Sequence, residues 1–97
     1  MNILQEADSL VMGAREESYD HPAINFDRIA RLWDAHLDTR RDPKAALTSE
    51  DVGWMMALVK QSRDAAVPSR ENLVDACGYL RCIERMRAAR GMEGYEA

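Results

Sequence analysis

The stretch from Asp51 to Leu80, DVGWMMALVKQSRDAAVPSRENLVDACGYL, constrains the fold of this chain more than any other. Apolar residues recur at helical spacing on both sides of Val67-Pro-Ser69, so it reads as two helices joined by a short turn. The first of the pair has a clear start. Thr48 is placed to cap, and Asp51 occupies the third helical position, a variant of the capping box. Leu47 and Val52 stand at the positions of a hydrophobic staple, so this third helix of the chain begins at about Ser49. Its apolar residues Val52, Trp54, Met55, Met56, Leu58, Val59, Ala65 and Ala66 cover most of the circumference. A narrow polar strip remains: Gly53, Ala57, Lys60, Gln61 and Asp64. A helix apolar nearly all round is buried from several sides, so it is expected to be central or to lie in a subunit interface.

The fourth helix is capped by Ser69 and ended by Gly91. Leu73, Ala76, Cys77, Leu80 and Ile83 are expected to face inward, with a second stripe of Asn72, Asp75, Tyr79, Cys82 and Met86 beside them. Residues 92–97 read as a frayed tail. Upstream, Ile3, Leu4, Ala7, Leu10, Val11 and Ala14 make a one-faced helix over Asn2–Glu16. A break follows at Glu17–Ala23, where Pro22 disfavours helix at His21. Asn25 is a suitable cap for a second helix, Asn25–Leu37, with Phe26, Ile29, Ala30, Trp33 and Leu37 along its stripe. His36, at the edge of that stripe, has no second ligand at helical spacing and so is not read as a metal site. Asp38–Leu47 is a polar connection with an adjacent pair, Arg40 and Arg41, read as solvated. No segment alternates as a strand would. The expectation is a single all-α domain of four helices.

Totals narrow the function classes. A chain of 97 residues buries only about 60–65% of its unfolded surface, so association with further copies into a homodimer or larger oligomer is expected. A net charge of −4 argues against a general nucleic-acid binder. Arginines cluster locally at Arg81, Arg85, Arg87 and Arg90, which suits the negative end of a helix dipole or a local contact with phosphate or an acidic partner. Cys77 and Cys82, five apart on one helix, point in directions roughly 140° apart and cannot bond to each other within it. Two thiols without a disulfide framework suit a reducing cytoplasm, and neither a signal peptide nor a membrane span is expected.

The chain has no glycine-rich phosphate loop, no metal-spaced His/Cys cluster, and no nucleophile with an evident histidine base. What remains is a polar set on the third and fourth helices. Arg63 falls inside the apolar sector, and a buried guanidinium needs a carboxylate or phosphate. Asp75 across the turn is a candidate partner, which makes a structural ion pair one reading of the pair. The other reading is a site: Asp51 and Asp75 as ligands of a divalent ion such as Mg²⁺, with Lys60 and Arg63 on phosphate oxygens. Asn72 belongs to the same set, and Tyr19, Trp33 or Tyr79 offer a face on which a base could stack.

Three runs, YDHPAINFDRIARLW, DVGWMMALVKQSR and ENLVDACGYL, resemble in order the motifs of an uncharacterised family of small phage and prophage proteins. That resemblance spans about residues 3–83 and implies a phage origin without an established activity. A weaker resemblance is to all-α nucleoside-triphosphate pyrophosphatases of the MazG and dimeric dUTPase type. It implies a nucleotide ligand, Mg²⁺, oligomeric assembly and, in a catalytic member, cleavage of the α–β phosphate linkage by metal-activated water. Of the family's ExxD helix only Asp75 is matched, in Asn72-Leu-Val-Asp75, and its ExxE helix is absent, since Trp54 stands three residues after Asp51. The expected function is therefore a phage-encoded nucleotide-binding or nucleotide-hydrolysing protein. The alternatives are a protein that sequesters a host signalling nucleotide, and an adaptor that docks on a host protein.

Overall fold

A computed structural model describes residues 1–13 and 20–97 of the chain. Among the described residues there are four helices: α1 (Ile3–Val11), α2 (Pro22–Asp38), α3 (Ser49–Ala66) and α4 (Arg70–Ala89). The fold is all-α, with no strand among the described residues.

Each helix start has a local cause. Asn2 caps α1 in a reciprocal box with Gln5. Thr48 and Asp51 form the box that opens α3. Ser69 accepts from the Glu71 N–H at the start of α4. The second helix departs from expectation. Asn25 does not cap it. Helix α2 begins three residues earlier, with Pro22 in its first turn and His21 as the cap, whose Nδ1 accepts from the Ala23 N–H. Proline lacks only an N–H that would have no partner there, and it forces His21 into the extended geometry that a cap needs. Asn25 is thereby released to turn into the protein, where it is buried. At the other end of the chain α4 closes on a Schellman arrangement. The Met92 N–H reaches the Arg87 carbonyl, and Gly91 adopts φ +78°.

Helix α3 packs antiparallel to α2 and to α4, and α2 and α4 do not pack on each other. Toward α2 it turns Asp51, Met55 and Ser62, and toward α4 it turns Gly53, Lys60 and Asp64. These two faces lie roughly opposite each other on the helix, at about 100° per residue. The three helices therefore form a row. The strip of Gly53, Lys60 and Asp64, read from sequence as the polar edge of α3, is the seam with α4. The polar residues there find partners across the seam, and Gly53 lets the two backbones approach: a Cβ at this position would lie 2.6 Å from Ile83 Cγ1.

The consequence for α4 is a rotation. Its inward residues include Asn72, Asp75, Ala76, Tyr79, Ile83 and Met86, while Leu73, Cys77 and Leu80, expected inside, are exposed. Met55 and Ile83 are the buried apolar side chains among the described residues, alongside the buried polar Asn25, Asp51 and Ser62. Helix α1 packs on none of the other helices, and its Ile3 and Leu4 are exposed. Within residues 92–97, the carbonyls of Glu96 and Ala97 accept from Arg81, and Arg87 lies over the Tyr95 ring, 5.2 Å from its centre.

A larger side chain at Gly53 must push α4 away. Gly53→Val is expected to lower stability by about 1–3 kcal/mol in urea denaturation, the range of an overpacked core. Shortening the opposing side chain, as in Gly53→Val with Ile83→Ala, is expected to recover part of that loss.

Candidate functional site

The α3–α4 turn sets the shape of the site. Asp64, near the end of α3, accepts from the Ser69 N–H at 2.9 Å and from the Asn72 side-chain amide at 3.3 Å. Asn72 also donates to the Val67 carbonyl. Beside this turn lies a cleft of about 450 Å³. Its walls carry Lys60 and Arg63 from α3, and Ser69, Glu71, Asn72 and Asp75 from the first turns of α4. Lys60 Nζ stands 3.0 Å from Asp75 Oδ2, with the lysine largely buried and the aspartate partly open to solvent. The positive end of the α4 dipole points into the same space, which favours an anion.

Of the residues singled out from sequence, Lys60, Arg63, Asn72 and Asp75 therefore come together. Asp75 forms an ion pair with Lys60. Tyr79 is one turn along α4 from Asp75 and lines an adjoining shallow hollow. Tyr19 falls outside the described residues. Trp33 packs against α3 and donates its indole N–H to the Met55 carbonyl at 2.8 Å. Glu71 was not singled out, yet it lines the cleft four residues before Asp75. That helical spacing was the signal that could have found it.

Asp51 is elsewhere. It lies nine residues before Lys60, roughly 14 Å along α3, so it does not converge with Asp75 on a shared ion. Its carboxylate is enclosed between α2 and α3. Oδ2 accepts from the Thr48 N–H at 2.9 Å, the Thr48 hydroxyl at 3.1 Å and Arg40 Nη1 at 2.8 Å. Oδ1 meets His36 Nε2 at 2.9 Å. Arg40, expected to be solvated, is instead largely buried, and it gathers the connection by donating to the carbonyls of Leu37, Pro43, Ala45 and Ala46. The Thr48 N–H, and then His36 and Arg40, hold the Asp51 carboxyl well below the usual carboxylate range, against the opposing effect of burial. Among the described residues no group of three or more His, Cys, Asp or Glu side chains is placed to hold a metal. The cleft's two carboxylates, Glu71 and Asp75, suit an ion that arrives with phosphate oxygens of its own.

The arginines of α4 are largely engaged within the chain. Arg87 and Arg90 both pair with Glu50, at 2.8 and 2.6 Å, and Arg81 pairs with Glu84. No helix among the described residues is long and apolar enough to cross a membrane.

Removing one partner from the Asp51 cluster leaves buried charge behind. Asp51→Ala is expected to cost about 3–5 kcal/mol at neutral pH by chemical denaturation. The folded pKa lies below the unfolded one, so this contribution is complete above about pH 5. It is lost as the pH falls through about 4 and below, so the gap between wild type and variant should narrow in acid.

The sequence profile of the family described as a domain of unknown function, DUF6378, matches residues 2–87. The chain is also 34% identical to the Gene 55 protein of Mycobacterium phage D29 over 86 residues, 88% of this chain. Its identity to the Gene 55 protein of Mycobacterium phage L5 is 34% over 88 residues, 90% of this chain. It spans about half the length of these relatives, 53% of each. No solved structure matches. On the extent of the profile match and of the two alignments, this chain belongs to DUF6378, a family of small phage proteins.

Proposed function

We propose that this protein binds a phosphate-bearing nucleotide in the cleft between α3 and α4, in the cytoplasm of the host cell. The observation that carries the reading is the grouping of Lys60, Arg63, Asn72 and Asp75 around one open space at the N-terminus of α4. Lys60 and Arg63 supply positive charge to phosphate oxygens, and the first backbone N–H groups of α4 add their dipole. Mg²⁺ carried by the phosphates has Glu71 and Asp75 within the same cleft, and Lys60 exchanges its carboxylate partner for phosphate when the ligand enters. The hollow beside Tyr79 offers an apolar surface for the base.

The reading is binding rather than turnover. Asp51 is committed to Thr48, Arg40 and His36, so the carboxylates of the cleft are Glu71 and Asp75. Two acids suffice to hold a metal–phosphate complex, but a water activated for attack needs further ligands to fix its position. Sequestration of a nucleotide fits that donor set.

Calorimetric titration with a panel of nucleoside mono-, di- and triphosphates, with and without Mg²⁺, tests this. At least one is expected to bind, and Lys60→Gln is expected to weaken it roughly tenfold or more, the effect of one lost charged hydrogen bond. Asp75 is partly solvated, so that substitution should leave the fold intact. Silence across the panel, or an affinity indifferent to Lys60→Gln, would sink the reading.

A further inference from the structure

A row of three helices has two broad sides, and a row alone encloses no core; stable domains place a second layer against the first. The excess surface can be gauged. A folded monomer of 11.0 kDa exposes about 5,600 Å² by the usual scaling with mass. This chain exposes 7256 Å². The difference is about 1,600 Å², whereas one partner in a standard interface contributes about 800 Å². Part of the excess belongs to α1, and the rest lies on the sides of the row.

Two ion pairs show which residues share a side. Glu50 of α3 meets Arg87 of α4 at 2.8 Å. Glu50 lies one turn before Trp54, and Arg87 lies two turns beyond Leu80, so the stripes that continue from this pair run along the same flank. On α3 that stripe is Trp54, Leu58 and Ala65, and on α4 it is Leu73, Cys77 and Leu80. Lys60 and Asp75 tie the opposite flank, the one on which the phosphate cleft opens. The first flank is largely apolar, with Gln61 between Trp54 and Ala65, and it is uncovered: Trp54 is 43% exposed, Leu73 64% and Leu80 39%.

We propose that this flank, centred on Trp54, Leu73, Cys77 and Leu80, is the interface with a second copy of the chain. The excess per chain is about twice the 800 Å² that one partner gives up in a standard interface, so a homodimer interface fits within it beside the share of α1. A self-complementary apolar stripe repeated on both copies meets itself across a two-fold axis. Stacking two rows supplies the missing layer and covers an aromatic anchor of the kind that dominates interface energy. The clefts face away from the interface, so the dimer presents two of them, and dimerisation and nucleotide binding are separable.

Sedimentation equilibrium on the full chain should give twice the 11.0 kDa mass at micromolar concentration. Trp54→Glu and Leu80→Glu should each raise the dissociation constant at least about thirtyfold, as at interface hot spots, while Lys60→Gln leaves it unchanged. A second measurement uses only conservative changes at the two exposed cysteines. With Cys82→Ser, leaving Cys77, a short bis-maleimide should cross-link two copies. With Cys77→Ser, leaving Cys82 on the other flank, it should not. A monomeric wild type, a dimer indifferent to both glutamates, or failure of Cys77 to cross-link would overturn the proposal. A monomer would also mean that α1 of the same chain, or solvent alone, covers this flank.

Discussion

The carboxylate of Asp51 holds more of this structure in place than any other group. It serves three elements at once. Its oxygens complete the cap that starts α3, bind His36 on the last turns of α2, and anchor Arg40 in the connection between them. Arg40 in turn collects three carbonyls of a segment that has no regular structure of its own, and that of Leu37 in the last turn of α2. A connection of this polarity would otherwise leave its backbone to water. One buried ion cluster thus fixes where α2 ends, how the chain crosses, and where α3 begins. At the far end of the same helix pair, Ser62 donates to Asn25 Oδ1 at 2.9 Å, and Arg28 donates to the Ser62 carbonyl. The α2–α3 interface is therefore pinned at both ends by polar contacts, with Met55 and Trp33 between them.

The α3–α4 interface follows a different logic. Gly53 allows close approach at one end, against Ile83. At the other end Asp64 ties the turn together through Ser69 and Asn72, and the cleft lies beside that turn. Lys60 and Asp75 pair across the seam on the wall of the cleft. Asp51 and Asp75 are both acids on the helix pair, but one is enclosed by four donors and the other is partly solvated. That difference separates an enclosed charge from an accessible one.

Much of the fold was legible in the sequence. Thr48 and Asp51 announced the start of α3, Ser69 that of α4, and Gly91 the end of α4, because caps are encoded by side chains within a few residues of the bonds they make. The grouping of Lys60, Arg63, Asn72 and Asp75 was legible for a related reason: a tight turn between antiparallel helices leaves little freedom in what faces what. The errors came from assigning faces by polarity. Gly53, Lys60 and Asp64 look like a solvent edge, yet they pack because their partners lie on α4. Leu73, Cys77 and Leu80 look like core, yet a single chain leaves them open. Arg40 and His36 gave no local sign of their role, since the acid that needs them lies 11 and 15 residues away. A stripe that is apolar in sequence and exposed in one copy is also what a layer completed by a second copy would show.

The central functional claim is that the cleft at the turn end of the α3–α4 pair takes a nucleotide. The most direct measurement is an amide chemical-shift map recorded during titration with a nucleoside triphosphate and Mg²⁺. The account predicts perturbations concentrated at Lys60, Arg63 and the Ser69–Asp75 turn, extending to Tyr79, with the Asp51–Arg40–His36 cluster unmoved. Perturbations centred on that cluster, spread without a focus, or absent at saturating ligand would contradict it.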